Sequence, residues 1–213
     1  MADDWKLTPE LLLRAYASGV FPMADSAEAE ELFWVDPIRR GVLPLDGLHV
    51  SRRLARDFLG RDFEIRVDAD FPGTVRACAD RATTWINAEI FRLYRELNRM
   101  GHAHSVEVWQ DGALAGGLYG VALGGAFFGE SMFSRMRDGS KFALVALIAR
   151  LRAGGFTLLD TQFVTPHLIS LGAIEIDRAD YRAALAAALR RPADFRALPP
   201  EAPRARMLEL ARG

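Results

Sequence analysis

The chain reads as an α+β protein, with a small irregular N-terminal part followed by a larger domain on a mixed, largely antiparallel sheet. Three observations lead there. Apolar runs over 126–130 and 156–160 flank a stretch with a 3.6-residue apolar period, the pattern of a strand–helix–strand crossover and so of a parallel pair. Runs over 105–109, 113–121 and 126–130 are joined at Gln110-Asp111-Gly112 and Gly124-Gly125, short connections that imply an antiparallel meander. Before residue 60 no period is sustained, and prolines at 22, 37 and 44 break the chain repeatedly.

The elements follow in order. Thr8-Pro9-Glu10 supplies an N-cap, a first helical position and a first-turn acid, and the helix runs through Leu11, Leu12, Ala15 and Tyr16 to Gly19. Residues 48–58 predict a short helix with Arg52, Arg53 and Arg56 close to one face. A composition shift at Leu59-Gly60-Arg61 places a boundary between residues 1–60 and 61–213. Beyond it, 63–67 alternates as a half-buried strand, and 71–81 and 87–100 read as helices, the second closed by Gly101. Ser140 is expected to cap a helix whose Phe142, Val145, Ile148 and Leu151 form one stripe, ending at Gly154-Gly155.

Composition narrows the function. Half of the 213 residues are apolar and the net charge is -1, which excludes a disordered chain and leaves any nucleic-acid contact to a local basic patch. A single cysteine, Cys78, makes neither an internal disulfide nor a zinc site by itself. No run approaches the length of a membrane span and no signal-peptide pattern stands at the start, so a cytoplasmic, membrane-free protein is expected.

The strand ends carry the chemistry. Phe127-Phe128-Gly129-Glu130 and Leu158-Leu159-Asp160-Thr161-Gln162 are apolar runs that end in carboxylates and an amide, where open α/β sheets bind ligands. Asp160 and Gln162, two apart, can project to one side and serve proton transfer; equally, Asp160 can cap the following turn. A buried Glu130 is costly without a partner, which is either a cationic substrate or Arg135 or Arg137. Phe127, Met132 and Leu159 flank these residues as candidates for an apolar pocket or as plain core. His102 and His104 lack a third metal ligand, so a structural role is expected and no metal.

Phe33-Trp34, 48–52 (LHVSR), 101–109 (GHAHSVEVW), 129–135 (GESMFSR), 159–162 (LDTQ) and 170–173 (SLGA) together resemble the leucyl/phenylalanyl-tRNA–protein transferase family, over about residues 11–185. The resemblance implies a domain similar to the Gcn5-related N-acetyltransferase fold. It also implies transfer of Leu or Phe from Leu-tRNA or Phe-tRNA to proteins with an N-terminal Arg or Lys, which marks them for degradation. By position in this sequence, it implies Asp160 and Gln162 as the pair that activates the amine and Glu130 as the reader of the acceptor's basic side chain. It further implies Trp34, Trp85 and Tyr94 around the tRNA's 3′-terminal adenosine. Arg52, Arg53 and Arg56 then become candidates for tRNA phosphates, or else a solvated helix face. No cofactor is expected: in coenzyme-A-using relatives of that fold a glycine-richer loop cradles pyrophosphate, whereas 135–141 (RMRDGSK) has one glycine beside Asp138. The acidic segment 25–31 is a departure from the family pattern.

Overall fold

The computed structural model describes residues 7–212; residues 1–6 and 213, the outermost parts of the two expected domains, lie outside them. Helix α1 (Pro9–Ala17) begins where the Thr8 side chain accepts from the Leu11 amide and ends before Gly19, whose φ is +82°. An antiparallel ribbon of β1 (Phe21–Met23) and β2 (Phe33–Val35) follows. Next come β3 (Arg39–Val42), α2 (Arg52–Gly60), β4 (Glu64–Val67), α3 (Phe71–Ala79) and α4 (Ala88–Arg99). The meander is β5 (Ala103–Gln110), β6 (Ala113–Leu123) and β7 (Ala126–Ser134). Helix α5 (Gly139–Ala153) then crosses to β8 (Leu158–Gln162). The described chain closes with α6 (Pro166–Ser170), β9 (Ile174–Asp177), α7 (Arg178–Leu189) and α8 (Arg204–Arg212).

Among the described residues, seven strands form the main sheet in the order β4-β5-β6-β7-β8-β3-β9. Every neighbouring pair is antiparallel except β7 and β8, which the α5 crossover makes parallel. The architecture is therefore α+β on a mixed sheet, with a small N-terminal part outside it. Strand β3 lies within residues 1–60 yet sits inside the sheet between β8 and β9, so the boundary expected near residue 60 does not separate sheet from non-sheet. The part that stays outside the sheet ends before Arg39.

Each face of the sheet buries its own core. On one, α5 packs with Phe58 of α2, Phe63 and Met207 of α8; on the other, α1, α3, α4 and α7 bring Leu12, Tyr16, Val75, Leu93, Tyr94 and Tyr181 together. Helix α5 is buried nearly all round, not only along its expected stripe, because α8 covers its back. Two local readings are corrected. Helix α2 starts after Ser51, whose side chain accepts from Leu54 N, rather than at Leu48. Ser140 does not cap α5; Asp138 holds that position at φ +64°, and the Ser140 amide donates to Ser134 Oγ. None of the described helices is long and apolar enough to cross a membrane.

Candidate active site

Strands β7 and β8 pair only at Ala126–Leu158, Phe127–Leu159 and Phe128–Asp160, and then separate. A pocket of about 330 Å³ opens in the gap, at the carboxyl ends of the one parallel pair. Both strands are bulged at its mouth. Across β6 and β7, Tyr119 faces Ser131 and Gly120 faces Gly129, which leaves Glu130 as the extra residue. Across β3 and β8, Gly41 faces Gln162 and Val42 faces Asp160, which leaves Thr161 extra. A glycine lies opposite each bulge because nothing larger fits: a Cβ on Gly120 would stand 2.2 Å from Phe128 O, and one on Gly41 2.8 Å from the Phe163 carbonyl carbon. Such bulges re-aim side chains out of the strand alternation.

Glu130 is the side chain re-aimed on β7. Its Oε1 accepts from Tyr16 Oη at 2.7 Å and from Gln162 Nε2 at 2.9 Å, and its Oε2 accepts from Tyr94 Oη at 2.8 Å. The Tyr16 and Tyr94 hydroxyls also lie within hydrogen-bond reach of each other; with one proton apiece, they bond each other only when one of the two accepts a proton from Glu130 instead of donating to it. Three neutral donors do not fully offset burial, which pushes the Glu130 carboxyl up to about 7. The same burial, with Glu130 beside them, holds both phenols well above their usual range. The expected alternative of an ion pair with Arg135 or Arg137 is not formed: Arg135 lies by Asp80 and Arg137 by Asp138.

Asp160 does not face the pocket, contrary to the expectation that it projects beside Gln162. It is fully buried and its oxygens are saturated. Oδ1 accepts from Arg40 Nε at 2.9 Å and from the Gln162 amide at 2.8 Å; Oδ2 accepts from Arg40 Nη2 at 2.6 Å and from Tyr181 Oη at 2.7 Å. A carboxylate offers about four lone-pair sites, so none is left for a substrate amine. Arg40 is itself buried between the Phe21 and Tyr181 rings, at 4.6 and 4.5 Å. The carboxylate instead grips the backbone of Gln162, which takes φ +63°. That left-handed turn sends the Gln162 side chain to Glu130 while Asp160 stays behind it.

The apolar residues divide. Met132 and Leu159 line the pocket on the α5 face, joined by Leu118, Leu144 and Leu147; Phe127 is fully buried against Phe156 and Phe195 and does not line it. Trp85 lines the pocket, half-buried. Trp34 does not, but it is exposed on β2 directly opposite Pro22 of β1, a strand that does. Tyr94 is wholly buried and edge-on to Tyr119, so neither ring face is open to a stacked base; its part is to hold Glu130.

Basic side chains also separate by partner. Arg53 is tied to Asp138 at 2.7 Å and Arg56 to Asp57, whereas Arg52 is exposed. His104 pairs with Asp68 at 2.8 Å and stacks on Phe195, a structural use. His167 lines the pocket, and burial followed by the Lys141 charge lowers its pKa, which keeps it neutral.

Sequence reasoning missed Tyr16, Arg40, Tyr119, Thr161 and Tyr181. Arg40 had a signal: a buried Asp160 requires a cation, and Arg39-Arg40-Gly41-Val42 is the basic segment leading into an apolar run. The tyrosines had none, since each sits at an ordinary core position of its helix or strand.

The comparisons with known proteins bear on this site. The sequence description of the leucyl/phenylalanyl-tRNA protein transferase matches residues 42–186, and that of the family's N-terminal domain matches residues 6–38. The chain belongs to this family. Family members from Cereibacter sphaeroides (strain ATCC 17025) and Ruegeria sp. (strain TM1040), both named leucyl/phenylalanyl-tRNA–protein transferase, are 65% and 62% identical over 89% of this chain and 88% and 90% of theirs. A third, from Jannaschia sp. (strain CCS1), is 58% identical over 92% of this chain and 93% of its own. The two family segments meet between residues 38 and 42, where β3 enters the sheet. Among solved structures, L-PGS from Bacillus licheniformis aligns at 15% identity and a TM-score of 0.39, over 76% of this chain and 55% of that one; so loose a likeness carries no argument about the site.

Proposed function

We propose that the pocket between β7 and β8 carries out the family's reaction, transfer of Leu or Phe from aminoacyl-tRNA to the N-terminal Arg or Lys of a protein. The observation that carries this is one pocket with two unlike halves. Its α5 face is lined by Leu118, Met132, Leu144, Leu147 and Leu159, a lining for an apolar side chain in which Met adapts to either shape. Its opposite face presents Glu130 and Gln162, a lining for a cation and an amine.

Aminolysis of the ester needs little more than alignment, which is worth roughly 7–11 kcal/mol when reacting groups are held in line. The attacking α-amine, in its neutral form, donates to Gln162 Oε1, which makes no hydrogen bond among the described residues. The new N–C bond forms as the ester C–O bond breaks, and the surplus amine proton ends on the departing ribose oxygen. Asp160 touches no substrate in this reading; it fixes the Gln162 backbone and acts as a positioning residue. Glu130 takes the acceptor's basic side chain, and that charge brings its carboxyl back down to the ionised form.

Trp85 and Trp34 hold the terminal adenosine in this reading, one in the pocket and one on the neighbouring ribbon, with Arg52 toward the phosphates. Coenzyme A has no part. The single glycine of 135–141, Gly139, opens α5 and is preceded by the Asp138 carboxylate, bound to Arg53 and Lys141, so negative charge already occupies that helix N-terminus. The sheet order and the divergence of β7 from β8 support a Gcn5-related N-acetyltransferase-like domain, and the reaction itself a cytoplasmic setting. The test incubates the protein with an Arg-initiated peptide and either radiolabelled Leu-tRNA or acetyl-CoA. Label should enter the peptide only from the tRNA; acetyl transfer, or no transfer, would refute the reading.

A further inference from the structure

Tyr119 carries a hydroxyl that nothing in the described protein satisfies. The residue is fully buried on β6, it lines the pocket, and its Oη has no hydrogen-bond partner. A buried unpaired hydroxyl is a standing cost, and native structures keep few of them. The ring packs edge-on to Phe71 at 5.9 Å and to Tyr94 at 5.4 Å. Burial, and then the neighbouring Glu130 charge, holds the phenol well above its usual range, so it stays a neutral hydroxyl.

Strand alternation says which substrate meets it. Leu118 and Tyr119 are consecutive on β6 and so face opposite sides of the sheet. Leu118 joins the apolar half of the pocket on the α5 side, while Tyr119 packs in the other core with Tyr16 and Tyr94, the two residues that hold Glu130. Glu130 has limited capacity left. Its Oε1 already accepts two bonds and its Oε2 one, whereas a guanidinium brings five N–H donors. A cation there therefore needs a further acceptor on the same face. Arg81, a cation nearby, is exposed and directs Nε to Cys78 O and Nη2 to Ser131 Oγ and Met132 O; it forms no ion pair with Glu130.

We propose that the Tyr119 hydroxyl is the second recognition group for the acceptor's first side chain, accepting an N–H from the guanidinium or ammonium that Glu130 holds. This rests on the reading of Glu130 as the residue facing that side chain. Tyr119 is thus a specificity residue, distinct from the groups that align the amine.

Tyr119→Phe removes the one oxygen and keeps the ring. With the full-length protein, KM and kcat are measured for Arg-, Lys- and norleucine-initiated peptides, and KM for Leu-tRNA, alongside thermal unfolding. The Arg-peptide KM should rise by about tenfold with kcat and the Leu-tRNA KM held, and the preference over norleucine should fall in proportion. The unfolding temperature should stay level or rise, since an unpaired buried hydroxyl is lost. Glu130→Gln is run in parallel. If it lowers the preference for Arg while Tyr119→Phe leaves the acceptor KM unchanged, Tyr119 is no part of recognition. If Tyr119→Phe raises the Leu-tRNA KM instead, the hydroxyl faces the donor and the proposal fails. If Glu130→Gln leaves the preference intact, the reading of Glu130 fails first and takes this one with it.

Discussion

Gln162 Nε2 donates to Glu130 Oε1 across 2.9 Å and so bridges the end of β8 to the bulge in the middle of β7, just beyond the point where the two strands part. The bond joins a bulged residue on one strand to a left-handed residue on the other. Both residues line the pocket. The bond leaves the Gln162 carbonyl oxygen and part of the Glu130 carboxylate to a ligand.

Glu130→Gln should lower acceptor selectivity without emptying the pocket. A charge-assisted hydrogen bond is worth roughly 1.5–3 kcal/mol, so preference for an Arg-initiated over a norleucine-initiated peptide should drop by about ten- to a hundredfold. Initial rates with the two peptides at matched Leu-tRNA concentration measure it. Unchanged selectivity would remove Glu130 from acceptor recognition.

The same variant should change how stability depends on pH. The Glu130 carboxyl sits at about 7 in the fold, above the 4.5 of a carboxyl in the open chain. Its proton is therefore favoured by the native state. The associated stability is fully present below about 4.5 and is lost as pH rises through about 7. Wild type should lose stability across that window, and Glu130→Gln should lose less. Urea midpoints at pH 5 and pH 8 give the comparison; equal slopes in both proteins would contradict the raised pKa.

Asp160→Asn should act mainly on stability. It leaves Arg40 buried without its counter-charge, which typically costs about 3–5 kcal/mol. Adding Arg40→Met should restore part of that loss, because the orphaned charge goes with it. Equilibrium unfolding of the single and double variants decides the point. A well-folded, fully stable Asp160→Asn protein with lost transfer would instead mean that Asp160 meets the substrate.

Arg52 and Arg53 should part company in tRNA binding. Arg52 is exposed, while Arg53 is bonded to Asp138 at 2.7 Å. Arg52→Ala should reduce the slope of log affinity against log salt by about 1. Arg53→Ala should leave the slope nearly unchanged. Filter binding of Leu-tRNA over a salt series distinguishes the two, and equal slopes for both variants would refute the division.

Trp85→Ala should weaken the tRNA 3′ end by about 1–3 kcal/mol, the usual worth of a base stacked on an aromatic ring. Trp34→Ala should do the same if the exposed ring on β2 reaches over the pocket. Affinity for a puromycin-like 3′-end analogue reports each. Wild-type affinity in both variants would end the stacking role.

The sequence by itself determined the α+β class, the meander, the parallel crossover and the place of Glu130 and Gln162 beside apolar runs. These depend on local signals: apolar period, glycine-marked turns, and polar residues that interrupt apolar runs. The sequence did not show that β7 continues past Glu130 to Ser134, because that stretch is held as strand by its pairing with Gly116 to Tyr119 of β6. Of the three apolar residues it offered as pocket or plain core, Met132 and Leu159 line the pocket and Phe127 is core. Tertiary structure alone decided what each polar residue does. Strand alternation put Asp160 and Gln162 on one side, but the bulge at Thr161 and the left-handed turn at Gln162, where β8 pairs with β3, override it. The same contact delivers Arg40, 120 residues away in sequence, onto Asp160, whose carboxylate therefore lies in a buried ion pair. Tyr94 changes role for a like reason: α4 lays it against β6 and β7, where its hydroxyl is worth more to Glu130 than its ring is to a base. Pairings so far apart in sequence leave no periodic trace along the chain, because they are set by which strands become neighbours.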